Sequence, residues 1–370
     1  MRLRLPTMMQ AIYNAPPSAC YRPIDPMSQR ILILSHDNKI GDAIVMTGLF
    51  RPLRAHWPDC EIGVLCGASN AALYRHHPEV KWLHVSSSRN VFARLWASLK
   101  ARMVRYDMVV HFGLDLANPS VQLVLNTVNA KQRFLFLEHP TKPLPNDEVM
   151  AGDWGYSTHD KAQHYSARHL HFLQTLGAKP GLYRYDIRLG QHTAAVTKPT
   201  DKDLLMVINS QSSVANKSFS LPWLQQFVHA VYVKYPHIHM HLLSASPALE
   251  KSMHAMFDIQ SDRVTVSPFV PTVTPALAMI QHADLVVSPD TYAVHAASAW
   301  NKPVIALYEP SVLSVDSWEP LSDTYAQIVA PAGQAVSQID VSEVMTALAQ
   351  LLATPNSRQR VLLKIGRAHV

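Results

Sequence analysis

From residue 31 onward, short apolar runs alternate with longer stretches whose apolar residues recur every three to four positions. The short runs are rich in Val, Ile and Leu and read as strands buried on both faces, at 31–34, 61–65, 82–85, 108–112 and 133–137. Helical spacing fills the intervals 42–57, 70–75, 91–104 and 120–128, and a further helix is expected over 164–176. Residues 140–160, rich in Pro, Gly and Asp, predict a long functional loop. The polar stretch 189–202 has no strong period and is the expected linker. Beyond it the alternation restarts: strand 204–208, helix 222–235 with Pro222 at its start, strand 238–243, helix 247–257, strand 264–266 and helix 275–282. Residues 284–310 then read as strand, tight loop, small-residue helix and strand. The pattern predicts an α/β chain of two halves, each a parallel sheet covered on both faces. The expected organisation is an extension over 1–30, a domain over 31–188, the linker, a second domain over 203–354 and a tail over 355–370. A ligand is expected in a cleft between the carboxyl-end loops of the two halves.

Composition narrows the class. With 370 residues the chain exceeds the size at which one core usually keeps growing, and 48% hydrophobic content is that of a globular protein. No apolar run approaches the roughly 18 residues that span a bilayer. The basic, Pro-interrupted start lacks the apolar core of a secretory signal, so a cytoplasmic protein is expected, its first 26 residues an extension or an artefact of start-codon choice. Three cysteines, Cys20, Cys60 and Cys66, fit a reduced protein, and neither they nor the 20 scattered histidines have metal-ligand spacing, so no metal is expected. The closing residues IGRAHV resemble the translation of a sequencing adapter. A net charge of +6 suits an anionic partner, but no basic cluster interleaved with aromatics points to nucleic acid. There is no Walker loop, GxGxxG or GxSxG, and Asp201-Lys202-Asp203 sits in the linker, where a solvated lead-in fits better than a metal-nucleotide motif.

Three places could carry chemistry. Gly41-Asp42 follows the first strand: Gly41 would permit a close turn, and Asp42 would either cap the helix, worth about 0.3–1 kcal/mol, or act as a general base. In the second half Asn209-Ser210-Gln211 ends a strand, and Lys217, on the way into the next helix, could neutralise a phosphate. Asp290 and Thr291 emerge at a strand's carboxyl end beside a helix N-terminus, where open α/β sheets bind ligands.

These motifs, taken together and in order, resemble those of the heptosyltransferase-like glycosyltransferases, family 9. Ile40-Gly41-Asp42 with the apolar helix, the Arg-rich turn and Pro58-Asp59 is similar to that family's first signature. Lys217 in NKSFSLPW matches its Lys before a Trp-Pro helix entry. Ser288-Pro289-Asp290-Thr291, with His295 and then Lys302-Pro303-Val304, is similar to its second signature. The resemblance implies a GT-B fold, two Rossmann-like domains facing across a cleft, the first taking the acceptor and the second a nucleotide-sugar donor that serves as co-substrate, with no cofactor. It implies Asp42 as the base in an inverting transfer, Lys217 on the diphosphate, Asp290 on sugar hydroxyls, Thr291 on phosphate, and Ser210, Gly41, Tyr292 and His295 in the same pocket. Glu250 is a candidate for the nucleoside ribose, against a plain solvated helix residue. The implied reaction moves heptose from an ADP-linked donor to a lipopolysaccharide or lipooligosaccharide core acceptor, a glycolipid at the inner face of a bacterial membrane.

The chain departs from the family at Tyr292, where the family has Gly, and at His36, where a basic residue is common. A different donor sugar, or a catalytically silent glycan- or nucleotide-binding relative, are the rival expectations. The helix 91–104 reads as a core helix with Arg94, Lys100, Arg102 and Arg105 on a solvated face; the alternative is peripheral docking on anionic lipid.

Overall fold

The structure, a computed structural model, describes residues 30–87, 90–113, 118–135, 149–151, 164–178, 183–190, 202–257, 262–353 and 363–365. The expected N-terminal extension, the 140–160 loop for the most part, the body of the linker and nearly all of the tail lie outside the described residues. The elements in order are β1 (Arg30–Ser35), α1 (Ile40–Thr47), α2 (Phe50–His56), β2 (Glu61–Gly67), α3 (Ala71–Arg75), β3 (Val80–Ser86), α4 (Val91–Val104), β4 (Met108–His111), α5 (Pro119–Val128), β5 (Gln132–Leu135), β6 (Val149–Ala151) and α6 (Ser166–Thr175). They continue as β7 (Leu204–Asn209), α7 (Leu221–Lys234), β8 (Ile238–Leu243), α8 (Pro247–Met256), β9 (Val264–Val266), α9 (Thr274–His282), β10 (Leu285–Pro289), α10 (Tyr292–Ala299), β11 (Val304–Tyr308), α11 (Val312–Ser317), β12 (Tyr325–Val329), α12 (Val341–Ala353) and β13 (Leu363–Ile365).

The chain divides into two compact units. The first contains a parallel sheet in the order β3-β2-β1-β4-β5-β6, the doubly-wound arrangement in which the strand order reverses between β1 and β4. Its central strands β1 and β4 are apolar through their middles because helices cover both faces; Ile31, Leu32, Ile33, Val109 and Val110 are fully buried. The second unit contains a parallel sheet ordered β13-β12-β11-β10-β7-β8-β9, reversing between β7 and β10. Its core joins Met206, Ile208, Val287, Ile305 and Leu307 to Trp223, Phe227, Leu348 and Leu351. The Trp223 indole N–H donates to the buried carbonyl of Ile339 at 2.7 Å.

The division differs from the linear one expected. The second unit begins at Arg184, and it also takes in Ile40–Gly48 and Ala162–Tyr165. Helix α1 therefore packs as part of the second unit although β1 belongs to the first. It lies on α10, and Thr47 Oγ1 accepts from the Asp186 N–H at 2.9 Å. The single helix expected over 42–57 is broken at Gly48 and Leu49. Pro52 supplies the reason: it has no N–H to give to a continuing helix and fits only the first turn of a new one, α2.

Helix α4 has the bounds expected, but its faces are reversed. Arg94, Ala97, Ser98 and Ala101 are buried, whereas Phe92, Trp96, Leu99 and Met103 are exposed. Arg94 therefore does not belong to a solvated basic face: its guanidinium donates to Ser120 Oγ at 2.5 Å and to the Ser87 carbonyl at 3.2 Å. Among the described residues no helix is long and apolar enough to cross a membrane.

Candidate active site

In the second unit the strand order reverses between β7 and β10, and the carboxyl ends of β7, β10 and β11 bring Asn209, Asp290 and Glu309 to one edge of the sheet. Thr291 leaves β10 in extended conformation and caps α10, its Oγ1 accepting from the Ala293 N–H at 3.3 Å. That hydroxyl is further fixed by Asn209, whose Nδ2 donates to it at 2.9 Å and to Ser288 Oγ at 3.2 Å; Ser288 and Thr291 hydroxyls are 2.9 Å apart. Thr291 thus holds the strand-to-helix corner rigid. The N-terminal end of α10, with its partial positive charge, emerges beside Asp290.

Lys217 ends a short 3-10 turn, Ala215–Lys217, and reaches the same corner. Its Nζ donates to Asp290 Oδ2 at 2.9 Å and lies 3.2 Å from Glu309 Oε1. Burial alone would lower the ammonium's pKa, but the two carboxylates outweigh it and raise the group, so Lys217 is firmly cationic. Glu309 was not singled out from sequence. Its signal was available, since it follows the strand read at 304–307, where the same carboxyl-end argument applies.

Ser210, directly after β7, is 1% exposed, and its hydroxyl has no hydrogen-bond partner. An unpaired buried hydroxyl costs roughly 1–3 kcal/mol unless water or a ligand meets it, so it reads as an open valence at this edge. His295, one turn into α10, is also buried with Nδ1 unpartnered. Its ring meets Tyr185 and Trp318 edge-on, with centroids 6.1 and 5.4 Å away. Desolvation first, and then the neighbouring His164, bring its pKa down to about 3. His295 is therefore a neutral ring at physiological pH and offers no positive charge to a phosphate.

Gly41 is the second residue of α1, and its reason for being glycine is not a turn. A Cβ there would stand 3.1 Å from His295 Cδ2 and 3.8 Å from the Tyr292 Cα, so the missing side chain is what lets α1 lie close on α10. The turn before the helix is made by Asn38, at a φ of 59°. Asp42, the next residue after Gly41, is half-buried in the first turn of α1. The structure thus places Gly41-Asp42 in the same unit as Lys217, Asp290, Thr291, Tyr292 and His295. Tyr292 is half-buried, and burial pushes its hydroxyl up to about 12.

Two expectations fare differently. Glu250 is engaged in structure: its Oε2 accepts from the Phe269 N–H at 2.9 Å, tying α8 to the loop after β9, and no hydrogen bond joins it to the Lys217 cluster. His36, in the first unit, stands against His111 with ring centroids 5.4 Å apart. Tyr185, His164 and Trp318, which wall His295, were not legible in the sequence, because no local pattern marks a residue brought in from a connecting segment.

Comparison with known proteins bears on this arrangement. Residues 260–345, the segment from before β9 to α12 that includes Asp290 to His295, match the family described as Glycosyltransferase family 9 (heptosyltransferase). Over 341 residues the chain is 22% identical to the "Putative lipopolysaccharide heptosyltransferase 4" of Escherichia coli (strain K12), covering 88% of each. The chain is thus similar to the family 9 glycosyltransferases. This glycosyltransferase superposes on a family 9 member from Veillonella parvula DSM 2008 with a TM-score of 0.70 at 16% identity, over 88% of its own length and 97% of the other. On E. coli heptosyltransferase WaaC with ADP the TM-score is 0.69 at 17% identity, over 87% and 99%. The family 9-like chain accordingly has the GT-B fold, built from two Rossmann-like domains.

Proposed function

We propose that this glycosyltransferase moves heptose from ADP-heptose to a lipopolysaccharide or lipooligosaccharide core acceptor, by direct displacement with inversion and with no resident metal or cofactor. The observation that carries the reading is the cationic Lys217 held at the Asp290 corner, beside the N-terminus of α10, in the unit that also contains Gly41-Asp42. WaaC with ADP supports the choice of nucleotide. In the reaction the acceptor hydroxyl attacks the anomeric carbon as the bond to the diphosphate breaks, and the hydroxyl proton passes to the Asp42 carboxylate. Lys217 and the α10 N-terminus take up the charge that develops on the departing diphosphate, and Asp290 is left to bind sugar hydroxyls. The acceptor is a glycolipid, so the enzyme works at the inner face of the cytoplasmic membrane.

The test is a thermal-shift panel of nucleotides and nucleotide sugars on the wild type, Lys217→Ala and Asp290→Ala. A nucleotide at about 100 times its dissociation constant stabilises by roughly 2.7 kcal/mol. ADP-heptose is expected to shift the wild type and neither variant. If no nucleotide does, the transferase reading fails. Because Tyr292 stands where the family resemblance implies a Gly, the panel includes UDP- and GDP-sugars; a larger shift from one of these replaces the donor while keeping the chemistry. Asp42→Asn is expected to bind donor normally and transfer nothing, and retained transfer removes Asp42 as the base.

A further inference from the structure

Helix α4 is built the wrong way round for a core helix. Its buried face holds small residues, Ala97, Ser98 and Ala101, with Arg94 bonded beneath it. Its outer face holds the large ones: Phe92 is 83% exposed, Met103 82%, Trp96 62% and Leu99 40%. At about 100° per residue these four fall within an arc of about 60°, a continuous apolar stripe along the helix. Val85, 44% exposed on the edge strand β3 against which α4 packs, adds to the apolar surface here. Isolated exposed apolar residues need no explanation, but a lengthwise stripe on a soluble surface marks something that docks.

The charges beside the stripe identify the partner. Lys100 and Arg102 flank it, about 80° to either side on the same projection. Lys100 Nζ lies 5.5 Å over the Trp96 ring, and Arg105 follows the helix in a left-handed C-cap. The helix carries no acidic residue at all. An apolar stripe with Trp and Phe, bordered by cations only, is the composition of a helix lying in the headgroup boundary of an anionic bilayer. A second copy fits poorly, since a twofold contact would set the cations against themselves without one carboxylate from the helix to answer them. We propose that α4 is a membrane-docking face that inserts Phe92, Trp96, Leu99 and Met103 into the headgroup region of an anionic lipid bilayer, with Lys100, Arg102 and Arg105 on the lipid headgroups.

The experiment uses the full chain and vesicles of phosphatidylcholine alone or with one third phosphatidylglycerol. Wild type is expected to sediment with the anionic vesicles and not with the neutral ones, with a blue shift of emission that Trp96→Phe removes. Two basic residues at about 1 kcal/mol each correspond to roughly thirty-fold, so Lys100→Glu/Arg102→Glu is expected to weaken partition at least that much. Phe92→Ser/Trp96→Ser is expected to abolish sedimentation; all four positions are exposed, and unchanged thermal unfolding confirms intact folding. Binding by both double variants at the wild-type level overturns the proposal. So does a wild-type dimer that Phe92→Ser/Trp96→Ser dissociates without vesicles, or a Trp96 already shielded from quencher in vesicle-free monomer. Nucleotide-induced thermal shifts are read on the same variants and do not involve α4, so loss of the docking face leaves the donor assignment standing, and the reverse.

Discussion

Removing the Lys217 ammonium is the most informative single perturbation of the site. The cation sits 2.9 Å from Asp290 and 3.2 Å from Glu309, and the Lys217 and Asp290 side chains are 19% and 9% exposed. At an effective dielectric of about 20, a pair at that separation attracts by roughly 6 kcal/mol, most of which repays desolvation. Taking one partner from a fully buried pair costs about 3–5 kcal/mol. Residual exposure screens part of this, so Lys217→Met is expected to destabilise by about 2–3 kcal/mol, because Asp290 is left desolvated beside Glu309. Lys217→Met/Asp290→Asn removes the uncompensated charge and should recover at least half of the loss. Urea unfolding at neutral pH measures both, and ADP titration of the two proteins separates stability from function: neither variant should bind, although the double variant folds well. A single-variant penalty below about 0.5 kcal/mol, or a double variant no better than the sum of its parts, would refute the coupled-pair account.

Other expected outcomes follow from specific contacts. Gly41→Ala gains about 1 kcal/mol of helix propensity but sets its methyl 3.1 Å from His295, so urea unfolding should change little while donor KM or kcat worsens several-fold as α10 shifts. His164, half-buried, and His295, buried, are held neutral by desolvation near 4 and 3, whereas both rings take up protons in the unfolded chain below about 6.5. Their folded pKa values are depressed, so the unfolded state binds more protons and stability falls as pH drops from about 6.5 toward 4, by up to about 3 kcal/mol per ring; His295→Gln should flatten that slope in unfolding measured across the window. Trp223→Phe leaves the Ile339 carbonyl without its indole donor at a buried position and should cost about 1–3 kcal/mol in the same assay.

Much of this was legible in the sequence, for identifiable reasons. Strands Ile238–Leu243 and Val264–Val266 were read with their true bounds, because each opens on a β-branched apolar residue and ends where turn residues, Ser244 and Ser267-Pro268, begin. The corner at Asp290 and Thr291 was placed by the same logic, and Lys217 by its position on the way into a helix. The failures share another cause. The periodicity of α4 predicts its length but not which side faces the sheet, and the small side of the helix was buried instead of the large one. The elements beyond residue 310, α11, β12, α12 and β13, were not read, although Val344, Ala347, Leu348 and Leu351 carry helical spacing. The engagement of Glu250 with the Phe269 amide was not legible, because it depends on a loop from another strand. Tyr185 and Trp318 are tertiary neighbours of His295 that no local window contains.

The membership of α1 in the second unit also bears on how the polypeptide matures. Residues from 184 onward cannot complete their unit by themselves, because the helix that fits against α10 through Gly41 is made about 140 residues earlier on the ribosome. During synthesis Ala43, Ile44, Val45 and Met46, all buried in the finished protein, emerge long before the surface that receives them. The C-terminal half expressed from residue 184 should therefore be poorly soluble, and supplying residues 30–183 in trans should rescue it. For this chain, the gene's linear halves are not its units of folding.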